Sequence, residues 1–389
     1  MIPVQFPPRR AIAAIFFIHG FITGAWVPHI PLAQQRLELD LATFGLALLG
    51  LALGAVAAMP VTGMLINRHG SARLTLVTGI AFSLAFPLPA LAENLTMFVA
   101  ALVVFGSTIG AMDVAMNAQG LAIEKHMARP IMSRLHGMFS VGAMSGAALS
   151  ALVLERYSIG AHMAGAVTIA AGVIAVSGPR LLPADADRGL SNTTFFALPS
   201  RATFGLGALC FVVLMAEGAV LDWSAIQLRQ EFSLSAHRAG LGYALFAGGM
   251  AASRFAGDNL RSKFGSVILV RWSALLLCGA MLAALVATSA GLSIAAYGIA
   301  GLGIGNIAPV LFGGGGRIES AAPGRGIAAV VAMGYAGFVA GPPFIGLLGQ
   351  AIGLSAALGT IVVGAAVIAV AAGLAQAADL TGERPERKA

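Results

Sequence analysis

Charge is scarce in this chain. Asp, Glu, Lys and Arg make up only 10% of its 389 residues, whereas 58% are hydrophobic and the mean hydropathy is +0.88. A soluble domain carries about 25% charged residues, and a chain of this size cannot cover a water-facing surface with so few. The composition excludes a soluble enzyme and gives a polytopic membrane protein. Cysteine is scarcer still: Cys210 and Cys278 both lie inside apolar runs, which leaves no disulfide framework and no zinc spacing. His-Glu-x-x-His, Gly-x-Ser-x-Gly and clustered Cys/His patterns are all missing, so the chain reads as neither an enzyme nor a metal or cofactor protein. The run GGGG at 313–316 lacks the Lys-Ser/Thr that would make it a phosphate loop. The apolar runs do not alternate, which excludes a membrane β-barrel.

The net charge of +7 raises the question of nucleic acid, but Lys and Arg fall in short clusters between apolar runs, as topology signals do, without aromatic interleaving. No nucleic-acid partner is expected. The start, MIPVQFPPRRAIAAIFF, imitates a signal peptide, yet its apolar run continues to about Leu37, too long for one, and reads as an uncleaved first helix.

A membrane span needs about 20 apolar residues. Twelve candidates follow: 11–37, 43–66, 72–92, 95–123, 135–154, 160–182, 203–228, 237–259, 265–288, 290–316, 326–349 and 353–376. With both termini inside, the cytoplasmic loops hold 18 Lys and Arg against 4 outside (Arg36, Arg156, Arg229 and Arg238), so both termini are expected in the cytoplasm. The longest polar break, 183–202, divides the chain into an N-terminal six-helix bundle (1–182) and a C-terminal one (203–378), followed by a tail (379–389).

The halves repeat. An offset of 195 pairs Gly45, Gly54, Gly70, Gly106, Gly110, Gly120, Gly142 and Gly146 with Gly240, Gly249, Gly265, Gly301, Gly305, Gly315, Gly337 and Gly341. That is eight of the twelve glycines from Gly45 to Gly146; with 50 glycines in 389 residues, chance alone gives about one or two. A parallel repeat of two six-helix halves accounts for this. Gly106/Gly110 and Gly142/Gly146 also have the spacing of small residues that let helix backbones approach closely.

Two six-helix halves joined by a basic loop resemble the major facilitator superfamily. GMLINRHGSAR at 63–73 is similar to its signature Gly-x-Leu-x-Asp-Arg-x-Gly-x-x-Arg, with Asn67 in place of the acid and with Arg68 and Arg73 kept. The second-half counterpart, RFAGDNLRSKFG at 254–265, is looser. GAWVPHIP (24–31), DVAMNAQG (113–120), LHGMFSVG (135–142), AEGAVLDW (216–223) and GYAGFVAGPPFIG (334–346) resemble the YbjJ-type inner-membrane permeases, distantly similar to the fucose–proton symporters. The resemblance implies alternating access and transport of a small polar solute such as a sugar or sugar derivative. In the fucose symporters an acid in span four, followed four residues later by Asn, serves proton coupling and sugar binding; Asp113 and Asn117 match it. Their acid in span one is Val27 here.

The residues themselves point the same way. Gly106, Gly110, Asp113, Asn117 and Gly120 form one helical stripe, so the acid is expected to face helices or a cavity instead of lipid. An ionised group at bilayer depth costs at least about 2.5–3.5 kcal/mol, which is why such acids usually mark ion or proton pathways. A carboxyl group that loses its water favours its neutral form and ionises when water returns, as a proton carrier must. The other reading is an acid that caps a helix break. In span seven, Glu217 is a second coupling candidate, while Asp222, about 140° round the helix beside Trp223, does not share its face. His19, Trp26, Asn117, Asp222, Trp223 and Asn306 are the candidate substrate contacts, against packing as the alternative for each aromatic. Arg254 and Asp258, four apart, share a face and are expected to form a gate or inter-helix bridge near the cytoplasmic end. His136 opens span five beside the basic loop, where a cytoplasmic polar network is expected, and Asn67, Arg68 and Arg73 are gating or structural candidates. Pro309 and Pro342–Pro343 permit bends.

The expected protein is thus a monomeric secondary transporter of the inner membrane, in contact with lipid, protons and a small-molecule substrate. Export of amphiphilic or toxic compounds is the alternative reading, and a passive channel or a sensor is a more distant one.

Overall fold

A computed structural model describes residues 7–183, 197–319 and 321–379. Residues 184–196 of the expected linker and 380–389 of the tail lie outside the described residues. The N-terminal half comprises α1 (Pro7–Trp26), α2 (His29–Arg36), α3 (Leu41–His69), α4 (Ser71–Ala85), α5 (Leu88–Leu91), α6 (Leu95–Met127), α7 (Met132–Val153) and α8 (Ile159–Ser177). The C-terminal half comprises α9 (Phe204–Phe232), α10 (Ala236–Phe264), α11 (Ser266–Leu285), α12 (Ala290–Ile304), α13 (Ile307–Ile318), α14 (Pro323–Ile352) and α15 (Leu354–Val370). α1 with α2, α4 with α5, and α12 with α13 are single spans broken once, so the fold has twelve crossings. Both described chain ends lie on one face, called here the terminal face; the other is the far face.

Among the described residues, eleven segments are long and apolar enough to cross a membrane by themselves, and α10 is not one of them. α10 is long enough but carries Arg238, Arg254, Asp258, Arg261 and Lys263. It packs against α7, α9 and α12, so its central polar groups meet protein instead of lipid.

The breaks have local causes. Pro28 follows α1, and Pro87 follows α4. Pro309 has no N–H for the Gly305 carbonyl four residues back, and span ten breaks at Asn306. Pro342 and Pro343, by contrast, lie inside an unbroken α14.

The repeat is visible as matched packing. α3–α6, α1–α7 and α4–α6 in the first half correspond to α10–α12, α9–α14 and α11–α12 in the second. A Cβ on Gly106 would strike the Leu51 carbonyl, and one on Gly301 the Phe246 carbonyl, 195 positions on. Gly110 meets Ala55 as Gly305 meets Met250, again 195 apart. Gly70 and Gly265 open α4 and α11 at φ +81° and +78°, a conformation that other residues rarely adopt. The halves meet along α7–α10 and α3–α14.

Candidate functional site

Three hydrogen-bonded links join the halves at the far face. Arg229 donates to Gln35 Oε1 at 2.9 Å and to the Pro31 carbonyl at 3.4 Å. Leu41 N–H donates to Gln350 at 3.2 Å, and Arg238 pairs with Glu155 at 2.8 Å. The Arg238 guanidinium holds the Glu155 carboxyl below the usual carboxylate range. On the same face Asp40 caps α3 by accepting from Thr43 N–H at 2.7 Å, which holds its carboxyl low as well.

Mid-span, the halves are bridged by polar side chains. Asp113 Oδ1 accepts from Asn117 Nδ2 at 3.0 Å, and the same amide donates to the Asp113 carbonyl at 2.8 Å. Asp113 Oδ2 accepts from the Tyr335 hydroxyl of α14 at 2.9 Å. The stripe on α6 therefore meets protein, as its periodicity requires: Gly106 and Gly110 press on α3, Gly120 lies against Met132 and Leu135 of α7, and Asp113 reaches the other half. α6 and α14 share little other packing.

The second bridge is centred on Arg254. Its guanidinium pairs with Glu217 at 3.4 Å, donates to Ser140 Oγ of the N-terminal half at 2.7 Å, and donates through Nε to the Gly305 carbonyl at 3.4 Å. Gly305 O is the acceptor that Pro309 leaves free. Arg254 thus reaches span seven and α7, while Asp258, one turn later on the same helix, is exposed. The Ser133 hydroxyl also donates to the Arg254 carbonyl at 3.0 Å. Together the two bridges place polar side chains of spans four, eleven, seven, eight and five between the halves, as one polar band.

The remaining candidates are placed as follows. Asp222 is half-buried and makes no hydrogen bond or ion pair among the described residues. Trp223 is buried against Phe44, with its indole N–H unpartnered. His19 and Trp26 do share a face, which packs on the stacked Phe82 and Phe105; neither His19 ring nitrogen nor the Trp26 N–H has a partner. Asn306 is buried and donates to the carbonyl and hydroxyl of Ser253, both at 2.8 Å, which ties the break in span ten to α10. Asn67, Arg68 and Arg73 are exposed at the α3–α4 turn. His136 packs edge-on against Phe16.

Sequence reading missed Tyr335 and Ser140, both polar residues set in small-residue runs, GYAGF and FSVG. It also missed His162. The Ser150 hydroxyl gives its proton to the Gly146 carbonyl at 2.6 Å, which makes His162 Nε2 the donor to Ser150 at 2.8 Å. In the tautomer that leaves Nδ1 bare, His162 accepts from His29 Nε2 at 3.1 Å, so a hydrogen-bonded chain joins spans one, five and six.

The Major Facilitator Superfamily profile matches residues 12–313. A Yersinia pestis protein described as an MFS-type transporter is 35% identical over 348 residues, 89% of this chain and 90% of its own length. Among solved structures, the nucleoside transporter NupG superposes with a TM-score of 0.71 at 13% identity, covering 95% of this chain and 98% of its own. The transporter FucP in its outward conformation gives 0.62 at 17%, covering 96% and 99%.

Proposed function

From the premise that the chain belongs to the Major Facilitator Superfamily, and is a membrane transporter of that type and not an enzyme, we propose that it couples solute movement to protons by alternating access. The observation that carries this reading is Asp113. It is a carboxyl group in the interior of a membrane span, facing the opposite half and held by one phenol and one amide, with no cation bonded to it among the described residues. Such a group is costly to keep ionised and gains by accepting a proton whenever water is withdrawn. Glu217 is the second titratable group in the band, paired loosely with Arg254.

The substrate is a small polar solute such as a sugar or sugar derivative, bound between the halves at mid-membrane. The likeness in fold to a structure described as the fucose:proton symporter FucP supports that class, and the hydroxyl and amide groups of the band match hydroxyl-bearing solutes. The protein works as a monomer in the inner membrane with its terminal face in the cytoplasm, in keeping with the 18-to-4 distribution of Lys and Arg.

The test begins with a thermal-shift screen of purified protein against sugars, sugar acids, amines and amphiphiles; a ligand at 100 times its Kd adds about 2.7 kcal/mol of stability. The stabilising solute is then followed into proteoliposomes with and without a pH gradient. Gradient-driven accumulation is expected in the wild type and lost in Asp113→Asn. Accumulation that persists in that variant rules out Asp113 as the proton site, and stabilisation by amphiphiles alone favours the export reading.

A further inference from the structure

Tyr335 was not legible as a functional residue, yet it makes the only direct hydrogen bond between α6 and α14 among the described residues. Its placement along α14 gives that bond a mechanical consequence. Towards the far face, α14 is pinned to the other half: a Cβ on Gly346 would crowd Gly45 and the Leu41 carbonyl, and one on Gly45 would crowd the Pro342 carbonyl. Between that contact and Tyr335 lie Pro342 and Pro343, which supply no N–H to the carbonyls of Phe338 and Val339. Helices bend most readily at such a point. The terminal-face portion of α14 is backed by α9 at Gly337 and by α13 at Gly326, where a Cβ would strike the Phe211 and Gly315 carbonyls, so it moves with those helices: a lever with a pivot at Gly45/Gly346 and one hydrogen-bonded tether to α6, at Tyr335.

The tether depends on charge. A phenol bound to a carboxylate makes a charge-assisted bond, roughly twice as strong as one between neutral groups. A protonated carboxyl group removes that assistance and brings a donor of its own. The titratable or charged groups facing the pair are Glu217 and Cys210 of α9, with Arg254 of α10 behind Glu217 and His136 of α7 behind Arg254. α3, α13 and α15 add no charged neighbour to it among the described residues.

We propose that Tyr335 is the positioning residue through which the charge state of Asp113 sets the spacing of the halves on the terminal side. With Asp113 ionised, the phenol holds α14 to α6; with Asp113 protonated, α14 and the α9 and α13 it is packed on are released from α6 and swing about the Gly45/Gly346 contact. This rests on the reading of Asp113 as the proton site.

The experiment uses full-length protein in nanodiscs with Cys210 and Cys278 replaced by Ser. Spin labels are placed at Lys125→Cys and Ile327→Cys, exposed positions near the terminal ends of α6 and α14. The inter-label distance is measured across a pH series, and protonation of Asp113 is followed by the infrared carboxylic C=O band that Asp113→Asn removes. The wild-type distance distribution is expected to shift to longer values as the band grows. Tyr335→Phe should keep the band and lose the dependence of distance on pH, and Asp113→Asn should hold the longer distance at every pH. A Tyr335→Phe distance that follows pH as in the wild type overturns the proposal. So does a wild-type distance that stays fixed while the band titrates, although Asp113 then remains a proton site. A band that never develops overturns the proton reading itself.

Discussion

The guanidinium of Arg254 donates to the buried hydroxyl of Ser140 at 2.7 Å, so one side chain of the C-terminal half reaches into α7 of the N-terminal half. The same group pairs with Glu217 inside its own half. Any movement of α10 against α7 therefore stretches a bond to a group that also carries an ion pair.

That arrangement makes Arg254 and Glu217 energetically dependent on each other. Arg254→Gln strands the Glu217 carboxylate and Glu217→Gln strands the guanidinium, each at a cost on the order of 3 kcal/mol. The double variant is expected to fall short of the sum by about 1–3 kcal/mol, because neither partner is then left unpaired. Thermal unfolding of the four proteins in detergent measures this coupling; additive effects would show that the pair does not act as a unit.

The matched glycines give a prediction that spans the repeat. Gly106→Ala and Gly301→Ala each drive a methyl group into a backbone carbonyl of the neighbouring helix, Leu51 and Phe246 respectively. Each is expected to cost about 1–3 kcal/mol as an overpacked contact, and by similar amounts in both halves. Gly165→Ala meets nothing within 4 Å and should stay within about 0.5 kcal/mol of wild type. Melting temperatures of the three variants decide it.

At the far face, the Arg238–Glu155 link should fail in acid. The Glu155 carboxyl is held below its ordinary value by the hydrogen bond and charge of Arg238. Its contribution is therefore fully present above the unfolded-state value and is lost as pH falls through the lower folded-state value. Spin labels at Leu154→Cys and Ala236→Cys, which line one far-face cavity, report the separation of the halves there. Acidification to below the ordinary glutamate range is expected to lengthen the inter-label distance. Glu155→Gln should lengthen it at neutral pH and abolish the acid response.

The chain His29–His162–Ser150 should be intolerant of apolar replacement. His162→Phe leaves His29 Nε2–H without its acceptor and Ser150 Oγ without its donor. Each stranded polar group costs about 1–3 kcal/mol. Thermal melts should show His162→Phe well below wild type and the paired change His29→Phe/His162→Phe closer to it. A double variant no better than the single one would argue that steric fit, and not hydrogen bonding, governs the site.

Sequence alone determined the spans, the repeat and the stripe that carries Asp113. Each is a property of one segment: an apolar run of bilayer length, a glycine spacing of 195, a helical period that places residues 106, 110, 113, 117 and 120 on one side. The shared face of His19 and Trp26 was legible for the same reason, although the aromatic residues it meets were not. The tertiary structure decided which helix each face meets. Arg254 had an acid four residues away on its own helix, yet Glu217, 37 residues back, is its partner, because α10 turns that face towards α9 and α7 instead of towards its own terminal end. Tyr335 and Asp113 are 222 residues apart and on different halves. Nothing in either segment's period encodes that distance; it follows from how two six-helix bundles dock along α3–α14 and α7–α10, where backbone approach at small residues sets the spacing before any polar group can pair.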